Sequence, residues 1–155
     1  MNPRPMPSGS DYVADAVALG VDAVMIDRLV RYFNAQVRLD AELGPIFEAR
    51  IADWEPHLRR MCTFWSSIML RTGTYHGQPM PMHARLPVGA AHFDRWLALF
   101  EASARHVCGR AAPLFIDRAH RIAQSLELGI ATSRGLMLRT DERLPPLALT
   151  EGASS

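Results

Sequence analysis

The chain has 155 residues, enough for one domain with a buried core, and 48% of them are hydrophobic. Its 17 basic and 16 acidic residues give a formal net charge of +1. This balance argues against a nucleic-acid-binding protein, which would need a basic surface to contact phosphates. The longest apolar run is too short to cross a membrane, and the start lacks the apolar core of a signal peptide. We therefore expect a cytoplasmic protein with no nucleic-acid or membrane partner.

The two ends of the chain are predicted to lie outside the folded domain. Residues 1–10 are rich in Pro, Ser and Gly, a composition typical of disordered segments. Residues 141–155 contain Pro and Ser and are predicted to form a flexible tail. The domain itself is then expected to span residues 11–140 and to be a monomer or a weak dimer.

Helical periodicity dominates the predicted domain. A short leading helix over 11–19 is interrupted by Gly20. Four longer helices are predicted because apolar residues recur every three or four positions; they span about 22–38, with Asp22 as the N-cap, 54–70, 90–108 and 112–128.

The connections between these helices carry helix-breaking residues. LGPIF at 43–47 is predicted to form a non-helical corner, because Gly and Pro in sequence break helices. Gly129 is expected to end or kink the last helix. The alternation typical of β-strands is absent from the sequence, so the fold class is predicted to be all-α.

Two histidines flank a Gly/Pro-rich loop in the middle of the chain. His57 lies one turn into the second long helix, on its apolar face, and His83 lies between Pro81 and Pro87 on at most one helical turn. Taken singly, a histidine on an apolar face is more often a structural residue, and a loop histidine is more often solvated. Their significance therefore depends on the surrounding pattern.

That pattern resembles one protein family at several fixed spacings at once. LGPIF at 43–47, W..H...M..FWSS..L..G.Y.GQPM..H..LP from residue 54, HF.RWL.LF from residue 92 and RA.RIA.SL.LG from residue 118 closely resemble the group III truncated haemoglobins, which are small bacterial globins. The resemblance covers about residues 22–137. It implies a two-over-two helical sandwich around haem b, which binds oxygen, nitric oxide or carbon monoxide at a His-ligated iron.

The resemblance also implies roles for individual residues. His83 matches the proximal ligand of the iron, and His57 and Trp96 match residues on the distal side, which faces the gas. Without the resemblance, Trp96 would more simply be a core residue of an amphipathic helix. Further haem contacts, including partners for the propionates, are expected from Phe33, Phe47, Met61, Phe64, Trp65, Arg71, Tyr75, Met80 and Arg85, with His76 near enough to be a further propionate partner.

One position departs from the family pattern. The family usually carries a tyrosine immediately after the residue that Phe33 matches, and this chain has Asn34 there. Tyr32 lies two residues earlier, on nearly the opposite side of the helix. We therefore expect Asn34 to occupy the place of the tyrosine on the distal side, unless a shift in helical register brings Tyr32 inward.

Three functions remain open from the sequence. The first is reversible binding of a diatomic gas, with the indole N–H of Trp96, the imidazole of His57 and the amide of Asn34 as hydrogen-bond donors. The second is a haem enzyme, such as a nitric oxide dioxygenase or a peroxidase-like protein. Such an enzyme would need a separate reductase, because the sequence contains no flavin or nicotinamide domain. The third is a haem-free helical interaction domain.

Overall fold

The computed structural model describes residues 9–71, 88–139 and 142–145, with side chains from Tyr12 onward. Every regular element in these ranges is helical, which confirms the all-α prediction. The α-helices are α1 (Gly9–Ala18), α2 (Ala23–Leu39), α3 (Leu43–Glu48), α4 (Trp54–Leu70), α5 (Ala90–Cys108) and α6 (Ala112–Ser133), and a 3-10 turn over Gly109–Ala111 joins α5 to α6. Of the helices in the described ranges, none is long and apolar enough to cross a lipid bilayer.

Helix α2 begins where the sequence predicts. Gly20 has a φ of +88°, a conformation that glycine adopts without strain, and it separates α1 from α2. The Asp22 side chain accepts a hydrogen bond of 2.8 Å from the Met25 N–H, which is the arrangement of an N-cap. The buried side of α2 includes Ile26 and Phe33, on the predicted apolar face.

The prediction of a non-helical corner at residues 43–47 is wrong, because this stretch forms α3. Pro45 lies in the first turn of α3, where no intrahelical N–H donor is needed. The Asp40 carboxylate accepts hydrogen bonds from the backbone N–H groups of Leu43 at 2.9 Å and Glu42 at 3.1 Å. Asp40, which precedes the predicted corner, therefore accepts hydrogen bonds from backbone N–H groups at the start of α3. Unpaired N–H groups at that end would have disfavoured so short a helix.

Asp40 also joins this corner to α5. The Arg95 guanidinium donates from Nε to Asp40 Oδ1 at 2.7 Å, and the Asp40 side chain is only 2% exposed. Burial alone would raise the pKa of the Asp40 carboxyl, but the hydrogen bonds from Leu43 and Arg95 outweigh burial and lower its pKa. Gly44 then packs on α2 so closely that a Cβ would lie 2.7 Å from the Arg38 carbonyl oxygen.

The last helix is longer than predicted. Helix α6 passes through Gly129 and ends at Ser133 instead of near Leu128. A glycine inside a helix costs about 1 kcal/mol relative to alanine. The next turn offsets this cost by burying Ile130 and Ala131, which are 0% and 2% exposed.

The long helices form two layers, as the two-over-two prediction requires. Helices α2 and α4 pack together in one layer, α5 and α6 pack together in the other, and α2 contacts α5 between the layers. The largest fully buried side chains in this interface and around it are Phe100 and Phe115, with Ile26 and Leu29 of α2 beside them.

Residues 142–145 lie within the stretch predicted as a flexible tail. In the structure the Leu144 side chain is 1% exposed. The backbone carbonyl of Leu144 accepts a hydrogen bond of 2.7 Å from the N–H of Ala90, at the beginning of α5. This part of the C-terminal region is therefore attached to the helical body.

Candidate functional site

Three aromatic rings form a stack between the two helical layers. Trp65 of α4 stacks on Phe100 of α5, with ring centroids 5.1 Å apart and planes at 17°. Phe100 also stacks on Trp96, one turn earlier in α5, at 5.5 Å and 13°. Trp65 and Phe100 are buried whereas Trp96 is half-buried, so the stack runs from the core outward to Trp96.

Phe33 of α2 holds the outer end of this stack. Its ring meets Trp96 edge to face at 5.2 Å and 87°, and meets Phe100 at 5.2 Å and 76°. Stacked and edge-to-face pairs at these distances are the favourable arrangements of aromatic rings. Two of the predicted site residues, Phe33 and Trp96, are thus in direct contact, and Trp96 is oriented by rings from two helices.

Asn34 is buried beside Phe33 on α2 and is 9% exposed. Its amide nitrogen donates a hydrogen bond of 2.7 Å to the carbonyl oxygen of Val30, four residues earlier in the same helix. Because that carbonyl can only accept, the nitrogen of the amide must face it. One N–H of the predicted distal donor is therefore already bonded to its own helix.

Tyr32 lies away from this cluster, as the helical periodicity predicts. Its ring stacks on His106 of α5, with centroids 4.6 Å apart and planes at 24°. His106 is exposed, so Tyr32 faces the outer side of the α2–α5 contact. No shift in helical register brings Tyr32 toward Trp96.

His57 is half-buried in the first turn and a half of α4. Its ring meets the Trp54 ring edge to face, with centroids 5.6 Å apart and planes at 89°. Trp54 in turn donates from its indole N–H to Glu48 at 3.3 Å and lies under the Arg38 guanidinium, 4.5 Å from the ring centroid. Arg38 and Glu48 also form an ion pair of 2.7 Å. Residues of three helices thus surround the indole against which His57 rests.

The other predicted haem contacts that the structure describes differ in how exposed their side chains are. Phe47 of α3 and Met61 and Phe64 of α4 are half-buried and pack against the main core. Trp65 is 5% exposed and contacts Phe100 and Phe115, so most of its surface lies within the core. Arg71 is exposed and ends α4 in a left-handed conformation with a φ of 53°.

Comparisons of the sequence and of the structure with known proteins identify the family of the chain. The chain is 34% identical over 108 residues to the group 3 truncated hemoglobin ctb of Campylobacter jejuni, a match that covers 66% of this chain and 85% of the relative. The crystal structure of the group III truncated hemoglobin from Campylobacter jejuni superposes with a TM-score of 0.64 at 33% identity, over 68% of this chain and 88% of that one. The chain belongs to the group III truncated haemoglobins.

More distant solved structures share the fold of this truncated haemoglobin. The hemoglobin of Chloroflexus aurantiacus matches with a TM-score of 0.59 at 23% identity, over 72% of this chain and 94% of that one. A Trp90Leu mutant of the group II truncated hemoglobin of Bacillus anthracis matches with a TM-score of 0.62 at 21% identity, over 79% and 92%. No family model matches the chain. These similarities and the two helical layers confirm the two-over-two globin fold.

The predicted proximal side of this truncated haemoglobin lies outside the described residues. His83 belongs to the 72–87 segment, as do the predicted haem contacts Tyr75, Met80 and Arg85 and the neighbouring His76. The assignment of His83 as the ligand of the iron therefore stays a prediction.

The other described histidines differ in exposure and in the contacts they make. His106 and His120 are exposed, and His120 pairs with Glu101 of α5. His92 is half-buried at the start of α5. Its Nδ1 accepts a hydrogen bond of 3.0 Å from the Gly89 N–H, which stabilises the beginning of this helix.

Both cysteines of this truncated haemoglobin are held as neutral thiols. Burial raises the pKa of Cys62 to about 11, with a further contribution from Asp27, and burial raises the pKa of Cys108 to about 12. Only a thiolate is a good nucleophile or metal ligand. Within the described residues, neither thiol is therefore suited to compete with histidine for a metal ion.

Sequence reasoning missed two parts of the site. Phe100 was not among the predicted site residues, although its four-residue spacing from Trp96 places both rings on one face and could have suggested the stack. The contacts of Trp54 with Arg38 and Glu48 had no such signal, because they join residues of α2, α3 and α4.

Proposed function

We propose that this truncated haemoglobin binds haem b between its helical layers and reversibly binds a diatomic gas, such as oxygen, nitric oxide or carbon monoxide. Membership of the group III truncated haemoglobins supports the cofactor, and the GQPM..H pattern supports His83 as its axial ligand. A haem iron with one histidine ligand supplies an open coordination position at which such a gas can bind.

The described residues fit a haem. Large apolar side chains remain half-buried on three different helices: Phe47 on α3, Met61 and Phe64 on α4, and Trp96 on α5. A porphyrin is a flat and largely apolar ring, and covering these side chains with it would remove more apolar surface from water. The half-burial of these four large apolar side chains, on three helices that pack against one core, is the observation that carries the proposal.

Trp96 is the best-placed donor to a gas on the distal side. Phe33 and Phe100 fix the plane of its indole, which can only donate a hydrogen bond and therefore suits a ligand that carries negative charge. Asn34 contributes less, because its amide nitrogen already donates to Val30. We assign the main stabilising hydrogen bond to Trp96 and a secondary one to His57.

On the opposite side, His83 would hold the iron through a neutral imidazole. The Pro-framed segment between Pro81 and Pro87 contains no Asp or Glu. The second ring nitrogen of His83 is then expected to donate to a backbone carbonyl, which sets the tautomer without adding the negative charge of a carboxylate partner.

Absorption spectra of the purified protein in the ferric, ferrous and carbon monoxide-bound states test this proposal. We expect the spectra of a histidine-ligated haem, and we expect His83→Ala to lose haem or to lose the histidine-ligated ferrous spectrum. His92→Ala is the control, because His92 lies outside the GQPM..H pattern and its Nδ1 already accepts from Gly89. A colourless wild-type protein, or a His83→Ala variant with an unchanged ferrous spectrum, would contradict the proposal.

A further inference from the structure

Residues 142–145, here called the C-terminal clasp, are fixed to the helical body by both backbone groups of one residue. The N–H of Leu144 donates to Glu127 of α6 at 3.0 Å, and its carbonyl accepts from the N–H of Ala90 of α5 at 2.7 Å. The Leu144 side chain is 1% exposed and belongs to a small core with Val88 and Phe93. The clasp thus connects the second half of α6 to the beginning of α5.

Charged side chains also hold the C-terminal clasp to α5 and α6. Arg143 donates to both oxygens of the Glu127 carboxylate, at 2.8 Å and 3.1 Å, and to Asp94 of α5 at 2.9 Å. The Glu127 side chain is only 10% exposed. A carboxylate buried to this degree is costly unless it is paired, and a two-point contact with arginine is the favourable geometry for such a pair.

The clasp also holds the residues that precede α5. Arg134 donates from one terminal nitrogen to the carbonyl oxygen of Val88 at 3.0 Å and to that of Pro145 at 3.2 Å. Val88 and Gly89 are both buried. The chain is therefore anchored at 88–90 by residues that lie more than forty positions away in sequence.

We infer that the C-terminal clasp positions the proximal side of the haem site by fixing the backbone at 88–90, where the chain leaves the segment that carries His83. This inference rests on the proposed function. Val88 follows His83 by only five residues in sequence, and this short separation is the reason for expecting a displacement at 88–90 to change the position of the imidazole. Glu127, Arg143 and Leu144 are then positioning residues.

A clasp that only added stability would leave the bond between iron and imidazole unchanged. The two roles are distinguished by the iron–histidine stretching frequency of the ferrous protein, measured by resonance Raman spectroscopy, because this frequency responds to the orientation and strain of the axial imidazole. The rate of haem transfer to an excess of apomyoglobin gives a second measure of how firmly the proximal side is held.

Three variants weaken the clasp to different degrees: a chain truncated after Arg139, and the full chain with Leu144→Ala or with Arg143→Gln. The matched control is Asp117→Asn, which removes an exposed ion pair with Arg121 on the same helix, away from the clasp. We expect haem transfer to be at least about tenfold faster in Arg143→Gln, because the variant loses the two-point contact with Glu127 and the contact with Asp94, and a single hydrogen bond to a charged group already contributes about this factor. We expect the truncated chain to show a larger increase and a shifted iron–histidine frequency, and the control to match the wild type.

Hydrogen exchange followed by mass spectrometry provides a measurement that does not depend on the axial ligand. We expect the truncation to accelerate exchange in a peptide covering 88–93 by at least about tenfold, while a peptide from α2 stays protected and shows that the chain is folded. Unchanged exchange at 88–93 in all three variants would overturn the inference, whatever binds the iron.

The remaining outcomes separate the two proposals. Faster exchange at 88–93 with an unchanged iron–histidine frequency and unchanged haem transfer would reduce the clasp to a stabilising contact and overturn its positioning role, with the haem proposal intact. If His83→Ala leaves the ferrous spectrum of the wild type unchanged, the proposed function fails at its axial ligand, and the positioning role fails with it.

Discussion

Two of the predicted distal residues, Trp96 and His57, are held by different interactions. Toward the core, Trp65, Phe100 and Phe33 fix the indole by ring stacking, mostly out of contact with water. The surroundings of His57, by contrast, are fixed by Trp54, Glu48 and Arg38, in contacts whose charged members are nearly half exposed. Buried ring packing is insensitive to salt, whereas exposed ion pairs are weak and screened. We expect Trp96 to be rigid and the position of His57 to be adjustable.

The largest effect is expected from removing the centre of the stack. Phe100→Ala deletes a ring that is 1% exposed and contacts Trp65, Trp96 and Phe33. Phenylalanine-to-alanine changes in a core typically cost about 3–5 kcal/mol of unfolding free energy. Urea unfolding would measure this loss, with Met137→Ala, at a 95% exposed position, as the control. A loss below about 1 kcal/mol would show that the stack does not hold the two layers together.

A smaller effect is expected at the junction of α2, α3 and α5. Asp40→Asn removes the negative charge that accepts from Leu43, Glu42 and Arg95, and hydrogen bonds to charged groups contribute roughly 1.5–3 kcal/mol. Unfolding free energies at neutral pH would measure the loss. An unchanged value would mean that water replaces these contacts without cost.

The same carboxylate also predicts an acid sensitivity. The folded-state pKa of Asp40 is lowered, since its hydrogen bonds to Leu43 and Arg95 outweigh burial. A lowered pKa contributes stability that is present above the ordinary aspartate value of about 3.9 and is lost as the pH falls through the folded-state value. We expect the difference in stability between wild type and Asp40→Asn to shrink as the pH falls below about 4. A difference that does not shrink as the pH falls below about 4 would assign the effect to something other than the charge.

The smallest effect is expected at the exposed contacts beside His57. Glu48→Gln keeps the size of the side chain but removes its ion pair with Arg38. We expect the association rate of carbon monoxide to vary by about two- to threefold between low and molar salt in the wild type, and to lose most of this dependence in the variant. Flash photolysis at several salt concentrations would measure it. Equal salt dependence in both proteins would show that this ion pair does not affect the position of His57.

The parts of the fold that could be predicted from sequence depend on local periodicity. Helices α2, α4 and α5 were predicted within a residue or two, because each buries a stripe of apolar residues at helical spacing. The helix at 43–48 was missed because its first amides are capped by Asp40, which precedes it. The end of α6 was missed because the burial of Ile130 outweighs the unfavourable Gly129.

The site was predictable mainly through the family resemblance. Periodicity placed Phe33 and Trp96 on buried faces, but only the spacing of several motifs assigned them to one pocket. The bond from Asn34 to Val30 depends on a side-chain rotamer, which periodicity does not specify. The clasp depends on Glu127 and Arg143 meeting from different parts of the chain, and sequence patterns of single helices contain no information on that contact.

The oxygen dissociation rate of Trp96→Phe, measured beside that of Asn34→Leu, tests most directly that Trp96 is the main distal donor. The phenyl ring can keep the contacts with Phe33 and Phe100, so the variant removes chiefly the indole N–H. We predict about ten- to hundredfold faster release in Trp96→Phe, and a change within about threefold in Asn34→Leu, because the Asn34 amide nitrogen is already bonded to Val30. An unchanged rate in Trp96→Phe with a large increase in Asn34→Leu would contradict this assignment.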